Sequence, residues 1–269
     1  MSRSVTAGQF IERYVQPPTS SGAGSGATVD GFVAGAPNTI VTGVVTAFLA
    51  SQAVLEQAVA LGANLVITHE GIDYSHHSNA SLLRDEDPVW SAKQAWIAGA
   101  GLVVYRYHDG MHRRRPDEIA AGLVEALGWE SCVEDIRPEA SIVRLPPFEL
   151  RSLAALLKEK LSLPYVRVAG DPDAPCARIG VTVGYRGGGA AAIPLLREVD
   201  AVVAGEGPEW ETPEYVSDAL HQGRKKAFLL IGHAASEEPG MRRLAARLQA
   251  ACPDVPVRFA SGRQTLQLL

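Results

Sequence analysis

The stretch that decides the fold is Leu65-Val66-Ile67-Thr68-His69-Glu70-Gly71, an apolar run that ends abruptly in a histidine and a carboxylate. An apolar run of this length, after the turn residues Gly62-Ala63-Asn64, predicts a buried and parallel β-strand. His69 and Glu70 then follow the strand directly, which is where ligands bind in open α/β sheets. A single pair of this kind is more often structural than functional, so its meaning depends on whether the pattern recurs.

Strands and helices alternate along the rest of the chain. Apolar runs that predict further strands include 40–49, 101–107, 177–183, 200–204 and 227–231, with helical segments between them. This alternation predicts an α/β fold with helices on both faces of largely parallel or mixed sheets. The charged, proline-containing segment 134–139 is the best candidate boundary. We therefore expect an N-terminal lobe, 1–135, and a C-terminal lobe, 136–269, unless the last helix and strand pack back on the first lobe.

Composition narrows the class of protein. A chain of 269 residues can bury a sizeable core and form one or two domains. Its net charge of -5 argues against nucleic-acid binding, which needs a basic face. Its three cysteines lack CxxC spacing, which fits a reducing compartment and excludes a disulfide framework or thiolate zinc finger. Neither a signal peptide nor a membrane-spanning apolar stretch is visible, so we expect a soluble, cytoplasmic protein.

Groups that can bind metals or move protons recur at the ends of four predicted strands. They are His69 with Glu70, the segment 108–112 with His108 and His112, Glu206, and His233 with Glu237. Imidazole nitrogen and carboxylate oxygen without thiolate suit Zn, Mn, Fe or Co. So many ligands suit two ions that share a carboxylate. The alternative is that the histidines are buried and bonded to backbone carbonyls, while the carboxylates cap helices.

The sequence motifs at these strand ends resemble those of a known family. In chain order they are Ile67-Thr-His69-Glu70-Gly71, Val104-Tyr-Arg-Tyr-His108-Asp-Gly-Met-His112, Ala204-Gly-Glu206 and Gly232-His233-Ala-Ala-Ser-Glu237. They are similar to the marker motifs of the Nif-three-like, dinuclear metal-binding proteins, often labelled GTP cyclohydrolase type 2. Asp30-Gly-Phe-Val-Ala-Gly35 also resembles an N-terminal region of that family.

The resemblance implies a site and an assembly. It implies two α/β lobes with mixed sheets flanked by helices, a metal site in the cleft between them, and a ring-shaped homohexamer. It implies two divalent ions per chain, Zn, Mn or Fe. Glu237 would bridge the ions, and Glu206 and His108 would act in catalysis or support the ligands. The implied metal ligands are His69, Glu70, His112, His233 and Glu237.

Two of these positions depart from the family pattern. The family's second histidine is replaced by Glu70, and its aspartate is replaced by His112. A histidine and a carboxylate have therefore exchanged places, which favours a rearranged site over a lost one. The hypothesis is that His112 has taken over the nitrogen ligand that Glu70 no longer provides.

Basic and glycine-rich segments bear on the substrate. Arg106 and Arg113 stand next to the second histidine motif and could clamp a phosphate or carboxylate. A solvated charge run or a subunit contact is the alternative. The segment 184–189 could form a backbone cradle for an anion, or an ordinary tight turn.

The sequence thus predicts a metal-dependent hydrolase that acts on a small anionic, possibly nucleotide-like molecule. The alternative is a non-catalytic metal-binding or regulatory assembly protein of the same family. A third alternative is a site that the exchanges have emptied.

Overall fold

The protein, seen in a computed structural model that describes residues 4–16, 28–76, 87–262 and 265–267, consists of two compact units. One unit combines 1–113 with 241–269, and the other spans 114–240. Each unit contains one mixed sheet with helices packed on it. The predicted α/β class, two mixed sheets flanked by helices, is confirmed.

The first unit is built on a sheet of five strands in the order β1-β4-β3-β2-β11. Its core is a cluster of small and branched apolar side chains from β2, β3 and the helices, including Val45, Val66 and Leu55. β3 pairs in parallel with both β2 and β4, as the buried apolar run predicts. The strands are β1 (Gly31–Ala34), β2 (Val44–Leu49), β3 (Leu65–Glu70), β4 (Val103–Arg106) and β11 (Val257–Phe259).

The helices of this unit begin where the sequence provides N-terminal chemistry. Ser51 caps the first helix after β2 by accepting the N–H of Val54, and Asp87 caps the next by accepting that of Trp90. The helices are α1 (Ala7–Phe10, continued by a π-helical turn over Ile11–Val15), α2 (Gln52–Ala60), α3 (Pro88–Gly99) and the short α4 (Asp109–His112).

The second unit is built on a sheet of six strands in the order β5-β6-β8-β9-β10-β7. β8, β9 and β10 are parallel, and the outer strands are antiparallel to their neighbours. The strands are β5 (Val133–Ile136), β6 (Ser141–Glu149), β7 (Arg167–Ala169), β8 (Pro175–Val181), β9 (Ala201–Ala204) and β10 (Ala227–Leu230). The helices are α5 (Glu118–Leu127), α6 (Leu150–Leu161), α7 (Gly189–Leu196), α8 (Thr212–His221) and α9 (His233–Ala251), whose later part is assigned to the first unit.

The unit boundary differs from the one expected at 135/136. It falls after Arg113, because α5 packs against α6 and β5 pairs with β6. α5 therefore belongs to the second unit although it precedes residue 135, and β5 spans the expected boundary. The charged segment 134–139 is therefore part of a hairpin. β11 pairs in parallel with β2, which places the end of the chain in the first sheet. Among the described residues, no helix combines the length and apolarity needed to cross a bilayer.

The helices α5 and α9 approach each other through glycine, and this contact generates a stability prediction. A β-carbon at Gly122 would lie 2.5 Å from the Cα atom of Gly240, whereas one at Gly99 would meet nothing within 4 Å. We expect Gly122→Ala to lower the free energy of unfolding by about 1–3 kcal/mol, because the backbones must separate. Gly99→Ala is the matched helical control, and helix propensity alone would leave it neutral or slightly stabilising. Chemical denaturation of both variants measures the difference, and equal stabilities would contradict the predicted overlap.

Candidate functional site

The parallel pairing of β3 with β4 places a group of polar side chains at one edge of the first sheet. His69 is fully buried at the end of β3, and its predecessor Thr68 pairs with Arg106, the last residue of β4. Because the carboxyl ends of parallel strands meet at the same edge, the residues that follow β4 lie close to His69. The expected position of His69 and Glu70 is therefore nearly correct, although both still belong to the strand.

His108 precedes the short helix α4 and His112 ends it. The carboxylate of Asp30 holds the start of that helix. Asp30 accepts the backbone N–H groups of His108 at 2.7 Å, Asp109 at 2.8 Å and Gly110 at 2.8 Å. These are N–H groups that a helix N-terminus leaves without partners inside the helix. Asp109 in turn pairs with Nδ1 of His108 at 2.9 Å, which orients the imidazole ring.

His69, His108 and His112 form a compact cluster of three imidazoles. The ring centroids of His69 and His108 are 4.4 Å apart, and that of His112 lies 4.9 and 4.8 Å from them. One nitrogen from each ring lies within 4.8 Å of the others, which is close enough for all three to share one cation. Three imidazole donors suit zinc and related transition metals. The residues of the first unit therefore fit a metal ion.

Glu70 faces a different set of partners. Its Oε2 atom accepts a hydrogen bond from the buried guanidinium of Arg106 at 2.6 Å, and its Oε1 atom lies 3.6 Å from Nε2 of His108. His76, in the loop after β3, approaches both, with its ring centroid 4.7 Å from that of His108. Glu70, His76 and His108 also satisfy the distance expected of metal ligands, but a guanidinium lies among them.

The second unit holds the other predicted pair, and the structure brings its members together. His233 begins α9, and Glu237 lies four residues later, so both occupy one helix face. Nε2 of His233 is 3.2 Å from the carboxylate of Glu237, and Nδ1 is 2.9 Å from that of Glu206, which follows β9. Glu237 is 2% exposed, whereas the side chain of Glu206 is 44% exposed. A carboxylate on each side thus orients the imidazole.

These contacts set the charge of the second cluster. Burial lowers the pKa of His233, but its hydrogen bonds to Glu206 and Glu237 outweigh that effect and raise the pKa to about 10. The hydrogen bond from His233 is also the main reason that the pKa of Glu206 lies below its usual range. Without a metal, His233 is therefore an imidazolium between two carboxylates. A metal cation and a proton compete for the nitrogen that faces Glu237.

The glycine-rich segment after β8 supports this cluster but does not form an open anion cradle. Gly184 has φ +58, and a β-carbon there would collide with the carboxylate of Glu237. Its N–H donates to Ser236 Oγ at 2.9 Å. At the far end of the segment, the N–H of Gly189 donates to Glu211 at 2.5 Å, so a carboxylate of the chain already occupies the start of α7.

The two arginines predicted to bind substrate lie in different surroundings. Arg106 is 1% exposed and bonded to protein atoms, whereas the side chain of Arg113 is 55% exposed and lies 3.4 Å from Asp109. Substrate binding by Arg106 and by Arg113 stays a prediction.

Sequence reasoning missed the contributions of Asp30 and His76. Asp30 stands in the segment quoted for the family resemblance, but its bonds to α4 join residues far apart in the chain. His76 follows β3 in a loop, and no local pattern signals its approach to His108.

Fold and side chains together define the class: an α/β protein with two mixed sheets and candidate metal-binding groups after the parallel strands. The model of the Duf34/NIF3 (NGG1p interacting factor 3) family matches residues 11–265, and the chain belongs to that family.

Individual relatives agree with this assignment. A curated protein of Nostoc sp., named GTP cyclohydrolase 1 type 2 homolog, is 25% identical over 210 residues, which is 74% of each chain. A Bacillus cereus protein related to NIF3 superposes with a TM-score of 0.74 at 15% identity, covering 100% of this chain and 99% of its own. The protein ybgI, described as of unknown function, has a TM-score of 0.72 at 26% identity, covering 91% of this chain and 93% of its own.

The bonds from Asp30 generate a prediction about the histidine cluster. We expect Asp30→Ala to lower the free energy of unfolding by about 2–4 kcal/mol, because several backbone N–H groups lose their acceptor. Asp30→Asn keeps one acceptor oxygen and should lose less. Asp254→Ala, at an exposed aspartate of the same unit, is the control. Denaturation curves measure the stabilities, and hydrogen exchange at His108–Gly110 locates the effect. Unchanged protection of those amides in Asp30→Ala would contradict this role.

Proposed function

We propose that this protein is a metal-dependent hydrolase acting on a small anionic, nucleotide-like substrate. The observation that carries the proposal is the cluster of His69, His108 and His112, three imidazoles within reach of one cation. His233 and Glu237 provide the second set of ligands in this proposal. Two ions per chain and a homohexameric assembly, both implied by the resemblance, stay predictions.

Catalysis would combine Lewis-acid chemistry with oriented side chains. A divalent ion held by His69, His108 and His112 would supply Lewis-acid chemistry, polarising a substrate oxygen and lowering the pKa of water. Asp109 holds the ring of His108 through Nδ1, so this histidine keeps one orientation within the cluster. The Oε1 atom of Glu70 lies 3.6 Å from Nε2 of His108, which places a carboxylate beside the ring.

Glu206 is the candidate for moving a proton in the second unit. Its pKa is lowered, so it is ionised at neutral pH and can accept a proton, and nearly half of its side chain is exposed. Its bond to Nδ1 of His233 leaves Nε2 as the nitrogen available to a metal. Glu206 would thus both orient His233 and accept a proton from a substrate or water.

The proposed substrate class rests on the relatives and on charge. The Nostoc relative carries a name that refers to GTP cyclohydrolase, which points to a nucleotide-like substrate, although 25% identity does not transfer an activity. Arg113 follows His112 directly, and its side chain, 55% exposed, can contact an anionic group.

Metal content of variants tests the metal-binding part of the proposal. We expect His69→Ala and His112→Ala to weaken zinc binding at least about 100-fold, since even residues that only support ligands change affinity 10–100-fold. His233→Ala and Glu237→Ala should reduce the zinc bound per chain. His221→Ala, at an exposed histidine of α8, is the matched control. Elemental analysis and zinc titration measure the effect, and unchanged zinc in all four variants would overturn the proposal.

Turnover separates the hydrolase from a non-catalytic metal-binding protein. The zinc-loaded protein is tested on phosphatase, nucleotidase and cyclohydrolase substrates. We expect Glu206→Gln to lower kcat about 100-fold or more while zinc stays bound, because proton transfer by a positioned side chain contributes about that much. Glu209→Gln replaces a nearby exposed carboxylate and should retain full activity. Absence of turnover on every substrate, with zinc fully bound, would favour the non-catalytic alternative.

A further inference from the structure

The guanidinium of Arg106 is surrounded by groups of the kind that bind cations. Its Nε atom donates to the carbonyl oxygen of His69 at 3.3 Å, and Nη1 donates to that of His76 at 2.5 Å. Nη2 lies 2.6 Å from Oε2 of Glu70 and 3.1 Å from Nδ1 of His76. Each of these partners can act as an acceptor. They comprise two carbonyls, a carboxylate and an imidazole, the groups that would otherwise surround a metal ion.

The position of Nη2 bears directly on Glu70 as a metal ligand. A single nitrogen of the guanidinium contacts both Glu70 and His76, which are two of the three residues in the second candidate group of ligands. Arginine stays protonated in proteins, so its charge cannot be removed to admit another cation. A divalent ion on Oε2 of Glu70 would lie directly beside this buried positive charge.

We propose that Arg106 is the resident cation of Glu70 and His76, and that Glu70 is therefore not a metal ligand in this chain. This inference rests on the proposed metal centre. It leaves His69, His108 and His112 as the ligands of the first unit, a set of three imidazoles without a carboxylate. The exchange of a histidine and a carboxylate seen in the sequence then has a structural explanation. Glu70 pairs with Arg106, while His112 belongs to the metal site.

The ligand set also restricts the metal. Imidazole donors favour zinc, copper, nickel and iron, whereas manganese and magnesium favour carboxylate and water oxygens. Because Arg106 neutralises Glu70, the carboxylate of Glu70 does not add an oxygen ligand to the three imidazoles. We therefore expect this centre to bind zinc or cobalt(II) in preference to manganese.

The experiment compares Glu70→Gln with His112→Ala by zinc titration and by the visible spectrum of the cobalt(II) form. Glu70→Gln retains an acceptor oxygen for Arg106, so the fold should persist. We expect its zinc affinity to fall by less than about 100-fold, as for a residue that supports a ligand without binding the ion. The cobalt spectrum should keep its wild-type maxima. His112→Ala should lose the zinc of this unit and change the spectrum.

A second comparison removes the resident cation. Arg106→Met should bind an additional zinc ion per chain at Glu70 and His76, and Arg106→Met combined with Glu70→Gln should return to the wild-type zinc content. A merely structural role of Arg106 predicts no such gain and no such reversal. Circular dichroism shows whether the Arg106→Met variants fold. If they do not, the Glu70→Gln result alone tests the inference.

The outcomes separate this inference from the proposed function. Loss of zinc in Glu70→Gln to the level of His112→Ala, or a shifted cobalt spectrum, would overturn the inference and leave the metal centre in place. A wild-type chain that binds no zinc would overturn the metal centre and this inference with it.

Discussion

The parallel ladder between β3 and β4 is the constraint on which the histidine site depends. It pairs Leu65 with Val103 at one end and Thr68 with Arg106 at the other. This register ends both strands at one edge, so the residues after β4 meet the last residues of β3. A shift by a single residue would turn His69 to the opposite face of the sheet. The apolar residues of both strands, which are fully buried, hold the register.

Two groups beside the candidate sites are bonded to carboxylates of the protein itself. Arg106 is buried with Glu70, and the N–H of Gly189 is bonded to Glu211 rather than left for an external anion. Burial of an ion without a partner is costly, so Glu70 offsets the burial of Arg106. The same contacts decide which groups remain for ligands. Residue type alone therefore overstates the number of ligand positions in this chain.

Much of the fold could be predicted because it is encoded locally. The apolar run at β3 and the proline with an acidic first turn before α5 both have local causes, and the structure contains both elements. β1 was not predicted, since it is only four residues long and depends on pairing with β4, which lies far along the chain. β5 was not predicted because its four residues lie largely in a charged, proline-containing segment, although that segment pairs with β6 in a hairpin. The boundary was expected within the segment 134–139, whereas contacts place that hairpin in the second unit.

The sequence by itself determined the fold class, the family and the residue types available to a metal site. The motifs around His69, His112 and His233 were sufficient for that, because strand ends and helix starts have local signatures. Only the tertiary structure decided which side chains meet. Asp30 reaches α4, and Arg106 takes Glu70 and His76 as partners, through contacts between residues far apart in the chain. Such contacts follow from sheet register and packing, which no short stretch of sequence specifies.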